Sequence, residues 1–287
     1  GVTAQIVGGG SANYGKIAHG ANVSQPITYT VPAGTPCGST LALTVNVNSN
    51  LGATSFTVRI IVGVPVTTFT ENFDSATAPA FPAGWTATVV QNGVNFVTTT
   101  TNSDSAPNSA YAVNVATVGG GTDLTSPSMP ISASAAVVSF RNRFDTEAGW
   151  DGGVLEISVG GGAFQDIITA GGRFIENGYN GVLGAGANNP LANRNSWNGN
   201  SGGYITSRVQ LPAAAAGQNV QLRWRFGSDD NTVGTGPNPG WNIDGIQVAG
   251  SYTCGPIAPS SDARADFDGD GKTDLSVFRP SEGNWYQ

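Results

Sequence analysis

Apolar and polar residues alternate with a period of two in several segments of this chain, and the alternation predicts an all-β fold. Leu41 to Asn48 and Ser55 to Val62 alternate in this way, with a turn-forming Asn-Ser-Asn-Leu-Gly between them. Val138 to Phe144, Leu155 to Val159 and Val220 to Phe226 repeat the pattern further along. Because successive side chains of a strand point to opposite faces, each segment predicts an antiparallel strand with one face on a core.

The predicted strands fall into three stretches. Residues 1–65 contain four or five strands, and Val64-Pro65-Val66 has the composition of a linker. Residues 66–250 contain the strands of a larger unit, and residues 251–287 follow as a tail. Within the larger unit, the Gly/Asn-rich stretch 171–204 has little periodicity, but its aromatic residues predict that it is ordered and folds over one sheet.

Composition supports strands and tight turns rather than helices. Glycine occupies 41 of 287 positions, and only 11% of the residues are charged. The formal net charge of −7 argues against a nucleic-acid partner, because phosphates need a basic surface. No apolar run approaches 18 residues, so no membrane span is expected. This composition is typical of a secreted, extracellular bacterial β-protein, and the start at Gly1 suggests a processed or trimmed form.

The two cysteines, Cys37 and Cys254, lie far apart and have no metal-ligand spacing. In an oxidising compartment they can form a disulfide, whereas in the cytosol both would be buried thiols. The secreted type of composition favours the bridge.

The most specific chemical pattern lies near the C-terminus. Asp266, Asp268, Asp270 and Asp274 occupy positions 1, 3, 5 and 9 of one glycine-containing loop. Ca²⁺ prefers six to eight oxygen ligands, and alternate side chains of a tight loop can converge on one ion. The Lys272 carbonyl, at position 7, can add a backbone oxygen. The loop therefore predicts a Ca²⁺ site, and the alternative is a solvated acidic turn.

The segment from Ala265 to Pro280, followed by Gly283-Asn284-Trp285-Tyr286, resembles one FG-GAP repeat. Such repeats form calcium-binding blades of β-propellers in secreted and cell-surface proteins. A propeller needs several blades, and one copy is present here. The resemblance therefore implies either a piece of a longer protein or a single calcium-clamped tail. Position 12 is Val277 rather than glutamate, so the loop is not an EF-hand.

The larger unit carries a second resemblance, from its opening to its end. It opens with Thr70-Glu71-Asn72-Phe73-Asp74 and closes with Gly240-Trp241-Asn242-Ile243-Asp244. Trp197-Asn198-Gly199-Asn200 and Phe226-Gly227-Ser228-Asp229 lie in order between them. The whole resembles a MAM-like jelly-roll module, as appended to secreted bacterial peptidases of the immune-inhibitor-A type. The resemblance implies a concanavalin-like sandwich and no catalytic activity.

Jelly-roll modules of this kind commonly hold a structural Ca²⁺, which implies a second metal site. The carboxylates that match the resemblance are Glu71, Asp151, Asp229 and Asp244. The alternative is that these side chains cap turns and accept backbone N–H bonds.

Four aromatic residues in predicted loops are candidates for stacking on sugar rings: Trp150, Tyr179, Trp197 and Tyr204. The alternative is a packing role, which is more common for tryptophan. Catalysis has little support, because no nucleophile, zinc or phosphate-binding motif is present. The run Asp145-Thr146-Glu147-Ala148-Gly149-Trp150-Asp151 is acidic, but no second carboxylate stands at a defined distance from it.

The first unit resembles the C-terminal half of an Ig-like module, whose complete form usually has seven strands. A sandwich without its opening strands exposes an apolar face and a sheet edge, and exposed edges recruit strands from other chains. We therefore expect a partial Ig-like sandwich, a jelly roll and a calcium-binding tail. The expected function is non-catalytic, structural or adhesive, with polymerisation into filaments by strand exchange. The alternative is a carbohydrate- or substrate-binding appendage of a secreted hydrolase, with a polysaccharide or cell-surface ligand.

Overall fold

Antiparallel strands form nearly all the regular structure in the computed structural model of this chain. The structure describes residues 13, 15–16, 31–32, 34–49, 52–115, 119–186, 188–229 and 231–254, and the strands at 5–6, 29–30, 277–279 and 284–286. The chain divides into two compact units, Gly1–Thr253 and Cys254–Gln287.

The strands are numbered along the chain. They are β1 Gln5–Ile6, β2 Tyr29–Thr30, β3 Thr40–Ser49, β4 Gly52–Ile61, β5 Val64–Glu71, β6 Thr86–Gln91, β7 Val97–Thr99, β8 Ser109–Val113, β9 Gly120–Thr125, β10 Met129–Ile131, β11 Val137–Asp145, β12 Gly152–Val159, β13 Gln165–Asp166, β14 Arg173–Glu176, β15 Gly181–Val182, β16 Asn195–Asn198, β17 Ile205–Gln210, β18 Gln218–Ser228, β19 Gly240–Thr253, β20 Val277–Arg279 and β21 Asn284–Tyr286. A single 3₁₀ turn of the described residues, Ala213–Ala215, lies between β17 and β18.

Two sheets of the first unit pack against each other as a β-sandwich. The first sheet has the order β15-β16-β12-β18-β9-β6, with β10 beside β18 and β13 beside β12. The second sheet has the order β14-β17-β11-β19-β8-β7, with β5 beside β19. The expected all-β sandwich fold is confirmed.

The core between the sheets is rich in aromatic side chains. Phe140 of β11 meets Trp224 of β18 edge to face, with ring centroids 5.6 Å apart. Trp241 of β19 meets Trp197 of β16 at 5.8 Å. These rings are nearly fully buried and come from both sheets, so burial of their apolar area is a large favourable term in the stability of the sandwich.

The domain boundaries expected at residues 65 and 250 lie inside strands rather than in linkers. Pro65 belongs to β5, where it is paired with Tyr252 of β19. Proline is tolerated there because β5 has no hydrogen-bonded neighbour on its other side among the described strands. The strand β19 likewise continues through residue 250 to Thr253. Residues 1–253 accordingly form one compact unit.

The described residues before β5 do not form two packed sheets, as a partial Ig-like sandwich would require. Strands β3 and β4 make a long hairpin with ten consecutive residue pairs, and β1 pairs with β2 over two residues. The hairpin contacts the sandwich near its base, where the Ser134 hydroxyl donates to the Gly38 carbonyl at 3.3 Å.

Both cysteines, Cys37 and Cys254, are disulfide-bonded in the structure, and the chain has no others. We therefore retain the predicted bridge between them. A loop of this length makes such a bridge worth roughly 4–5 kcal/mol in the chain-entropy treatment. The intact mass without reductant is expected to lack two hydrogens, and a mass with two free thiols would contradict the bridge.

Candidate functional site

Two neighbouring strands of the first sheet bring two carboxylates to the same sheet end. In the pair of β12 and β18, Gly152 lies opposite Gly227. Asp151 immediately precedes Gly152, and Asp229 stands two positions after Gly227. The antiparallel register therefore places Asp151 and Asp229 close together where β12 begins and β18 ends.

A tight turn between β11 and β12 adds a third carboxylate, that of Glu147. The N–H groups of Trp150 and Asp151 both donate to the Glu147 carbonyl, at 3.2 and 3.1 Å. The Thr146 hydroxyl donates to the Asp151 carbonyl at 3.0 Å. Gly149 supplies the positive φ of 79° that the turn needs. The turn thus returns Glu147 to the neighbourhood of Asp151.

Glu147, Asp151 and Asp229 together form what we call the carboxylate triad. Each offers one oxygen, and these oxygens all lie within 4.8 Å of one another. Asp151 is 0% exposed and Asp229 is 1% exposed, while Glu147 is half-buried. Three carboxylates so close together and so poorly hydrated repel each other strongly unless a proton or a cation intervenes.

The hydrogen bonds of the triad leave two oxygens unsatisfied. Asp151 accepts from the Asp229 N–H at 2.6 Å and from the Asn114 side-chain amide at 2.7 Å. One oxygen of Asp229 accepts from the Asn231 N–H at 3.2 Å. Oε2 of Glu147 and Oδ2 of Asp229 are buried and have no hydrogen-bond partner within the described part of the chain. A buried polar atom without a partner is costly and usually indicates a ligand or water.

Burial and repulsion raise the pKa values of two members of the triad, Asp151 and Glu147. Desolvation raises the pKa of Asp151 to about 7, against the opposing hydrogen bonds from Asp229 and Asn114. The pKa of Glu147 is raised as well, first by desolvation and then by the negative charge of Asp229. A cation bound at this point would favour the ionised carboxylates and reverse these shifts.

The triad fits a hard divalent cation. Carboxylate oxygens are the ligands that Ca²⁺ prefers, and two carboxylate oxygens of the triad have no hydrogen-bond partner among the described residues. The site does not fit a sugar substrate, because a general acid must come within hydrogen-bond reach of the scissile bond. Asp151 and Asp229 are too deeply buried for a polymer to reach them.

The structure separates the four carboxylates expected around a second calcium ion: Glu71, Asp151, Asp229 and Asp244. Two of them lie in the carboxylate triad with Glu147, and the other two do not. Glu71 accepts from the Phe73 N–H at 2.7 Å and from the Trp85 indole at 3.1 Å. Asp244 accepts three backbone N–H bonds of 2.7–2.9 Å. For these two side chains, the turn-capping alternative describes the observed contacts.

The four candidate sugar-binding aromatics do not share one exposed surface: Trp150, Tyr179, Trp197 and Tyr204. Trp197 is 1% exposed and belongs to the core, and Tyr179 packs against it with ring centroids 4.7 Å apart. Tyr204 is half-buried, and its hydroxyl donates to the Asn102 carbonyl. Trp150 is 38% exposed. The contacts of Trp197, Tyr179 and Tyr204 fit the packing role, because these rings are buried or half-buried against the protein.

The predicted calcium loop of Asp266, Asp268, Asp270, Lys272 and Asp274 lies outside the described residues. In the second unit, the described strands β20 and β21 form a short antiparallel hairpin, with Phe278 opposite Trp285. The calcium loop stays a prediction.

Glu147 is the member of the triad that sequence reasoning did not assign to a metal. Its signal was its position four residues before Asp151 in one acidic run. That spacing allows both side chains to reach the same point only if the intervening chain makes a tight turn, which depends on the register of the flanking strands.

No protein-family model and no curated protein matches this chain. Among solved structures, it is similar to the K2 cleaved adhesin domain of Lys-gingipain, with 20% identity and a TM-score of 0.39 over 65% of this chain and 98% of that domain. It is also similar to the CBM22-1 xylan-binding domain from Paenibacillus barcinonensis, with 11% identity and a TM-score of 0.39 over 67% of this chain and 99% of that domain. These likenesses concern the β-sandwich fold. The MAM-like and FG-GAP resemblances stay predictions.

The described residues contain no helix with the length and apolar character needed to cross a membrane.

Proposed function

We propose that this chain is a non-catalytic, extracellular module with a structural or adhesive role, whose sandwich is stabilised by Ca²⁺ at the carboxylate triad. The observation that carries the proposal is the pair of buried, unpartnered oxygens on Glu147 and Asp229. A bound Ca²⁺ would satisfy both oxygens and neutralise repulsion among three carboxylates. It would also link the ends of β11, β12 and β18.

A structural role for the triad follows from its burial. Enzymes that use paired carboxylates keep them open to substrate, because proton transfer needs direct contact or one bridging water. Asp151 and Asp229 are buried, so a polymer substrate cannot contact them, and Glu147 is half-buried. A cation at the triad would stabilise the fold. Any larger ligand would bind at the outer faces of the sandwich.

Disulfide-bonded cysteines support an extracellular location. Cys37 and Cys254 are both disulfide-bonded, and such bonds persist in oxidising compartments. The loop from Asp266 to Asp274 would add a second Ca²⁺ in the tail, as its spacing and its resemblance to an FG-GAP repeat suggest.

A hydrolase screen tests the non-catalytic part of the proposal. Purified protein with Ca²⁺ is expected to show no turnover on peptide, ester and glycan substrates, because Asp151 and Asp229 are too deeply buried to contact a substrate. The control is Glu147→Gln, which removes one triad charge and keeps the side-chain shape. Turnover by the wild type that the variant loses would overturn the proposal.

Self-association is a second candidate role, and the β3–β4 hairpin favours it. Val47, Phe56 and Val58 of the hairpin are 40%, 52% and 38% exposed and share one face. Among the described strands, β3 and β4 pair only with each other, so their outer edges are open. Exposed apolar faces and open edges favour contact with another chain.

Light scattering at high protein concentration with Ca²⁺ tests this second role. Wild-type protein is expected to form filaments or oligomers, and Phe56→Ser is expected to remain monomeric because it removes the most exposed apolar side chain of the hairpin. Deleting residues 1–20 tests the strand-exchange route, with the N-terminal segment as donor. A wild type that stays monomeric contradicts self-association.

A further inference from the structure

A groove of about 700 Å³ lies on the outward face of the second sheet, away from the carboxylate triad. Its floor includes Ser139 of β11, Gln210 of β17 and Gln247 of β19, whose neighbours along each strand face the core. Arg173 of β14 lies on one side, and Arg59 of the β3–β4 hairpin lines it as well. We call this feature the arginine groove.

Three arginines line the groove without a carboxylate in salt-bridge range among the described residues. Arg59, Arg173 and Arg208 are exposed and form no salt bridge with any described residue. The Arg173 guanidinium donates to the neutral Gln210 amide oxygen at 2.8 Å. Three guanidinium groups on one surface are therefore available to a ligand.

The remaining arginines of the sandwich show how unusual this is for the chain. Four others are each paired with a carboxylate: Arg141, Arg194, Arg223 and Arg225. Their partners neutralise them, as expected in a chain with more acidic than basic residues. Arg143 also forms no salt bridge with a described residue and donates to the Asn242 side-chain oxygen at 3.5 Å, outside the groove. Three of the four such arginines of the first unit therefore line the groove.

The rest of the groove is suited to a sugar chain. The described lining contains hydroxyl and amide side chains and no aspartate or glutamate. Glu176 is the acidic residue that pairs in register with Arg208, and it lies outside the lining. Hydroxyl and amide groups can donate to and accept from sugar hydroxyls, while apolar Ile61 and Ile175 can contact ring carbons.

We propose that the arginine groove binds an anionic polysaccharide, through carboxylate or sulfate groups on its sugar units. Guanidinium groups pair with such anions by two parallel N–H bonds, which gives both affinity and orientation. The inference rests on the proposed binding role of the module and names the ligand class. The hydroxyl and amide side chains of the lining favour sugar units over nucleic acid as the carrier of the anionic groups, and duplex DNA is a competing outcome of the test.

Affinity electrophoresis with calorimetry tests the proposal on the full chain in excess Ca²⁺. The probes are hyaluronan oligosaccharides for carboxylates, dextran sulfate for sulfates, neutral dextran as the uncharged control, and duplex DNA. We expect binding to at least one anionic glycan, weaker binding in high salt, and no binding to dextran. A hyaluronan signal assigns carboxylate as the anion, and a dextran sulfate signal assigns sulfate.

Substitutions locate the binding to the groove. Arg208→Gln is expected to weaken binding about tenfold or more, because it removes a charge-assisted contact. Arg208→Lys keeps the charge and is expected to recover only part of the affinity, since it cannot form the bidentate pair. Lys16→Gln removes the same charge from an exposed residue outside the described lining and is expected to leave binding unchanged. Thermal unfolding of each variant shows that the fold is intact.

Three results would overturn the anionic-glycan assignment. They are no binding to either charged glycan, equal binding to DNA, and equal losses in Arg208→Gln and Lys16→Gln. None of these results would contradict the proposed calcium-stabilised module, because the stability response to Ca²⁺ is measured separately on the same samples.

Discussion

Asp229→Asn is expected to be less stable than wild type in excess Ca²⁺ but at least as stable as wild type in chelator. With Ca²⁺ at a hundred times its dissociation constant, a site present only in the folded state adds about 2.7 kcal/mol to the free energy of unfolding. In a chain of this size that corresponds to a rise in Tm of roughly 5–10 °C. The variant loses a ligand at the triad and is expected to lose this contribution.

Without calcium, the same substitution is expected to stabilise the protein. The triad then holds three carboxylates within 4.8 Å, and Oε2 of Glu147 has no described partner. An asparagine at position 229 removes one charge and provides N–H groups that can donate to that oxygen. In chelator, the variant is therefore expected to unfold at the same temperature as wild type or above it.

Thermal unfolding of both proteins in chelator and in excess Ca²⁺ gives the four values needed. Ser158→Ala provides a control, because it removes a buried polar group of the same sheet away from the triad and is expected to lower Tm equally in both conditions. Equal calcium responses in wild type and Asp229→Asn would show that the triad does not contribute to calcium-dependent stability.

Trp197→Ala is expected to be among the most destabilising single substitutions in the sandwich. Trp197 is 1% exposed and contacts four aromatic rings, those of Phe140, Phe174, Tyr179 and Trp241. Its indole N–H also donates to the Asn177 carbonyl at 3.0 Å. Replacing a buried tryptophan by alanine leaves a cavity and typically costs about 3–5 kcal/mol.

Trp150→Ala is the matched control, because Trp150 is 38% exposed and stands in a loop. Its loss is expected to cost about 1 kcal/mol or less. Urea unfolding followed by far-ultraviolet circular dichroism compares the two variants without relying on tryptophan fluorescence. A Trp197→Ala protein with unchanged stability and lost glycan binding would favour a ligand-stacking role instead.

Strands with clean alternation could be predicted from sequence, and their pairing placed two of the metal-ligand candidates. The segments around Phe140, Ile157 and Trp224 became β11, β12 and β18. Alternation identifies these strands because one face of each strand is buried, so apolar residues occupy every second position. Asp151 and Asp229 then meet because they flank paired strands.

Residues outside the alternating strands were harder to assign, for a physical reason. An acidic residue next to a strand looks the same in the sequence in two different situations. Its side chain can cap a turn, as those of Glu71 and Asp244 do, or it can face other carboxylates, as that of Glu147 does. The difference depends on loop geometry. Trp197 likewise lies in a stretch without periodicity, and its burial follows from the pairing of β16 with β12 rather than from local pattern.

The boundary predicted at residue 65, where proline suggested a linker, lies inside β5. Pro65 has no N–H to donate, but an edge strand does not need every donor. The pairing of β5 with β19 continues through this residue and joins it to the sandwich.

Calcium titration calorimetry decides whether the carboxylate triad binds Ca²⁺, with wild type, Asp268→Ala, Asp229→Asn and the double variant. We expect two calcium-binding events in wild type, one at the carboxylate triad and one at the loop from Asp266 to Asp274. Each single substitution is expected to remove one event, because it takes away a charged oxygen that the ion needs, and the double variant is expected to bind no calcium. If Asp268→Ala alone abolished all calcium binding, the triad would not be a calcium site.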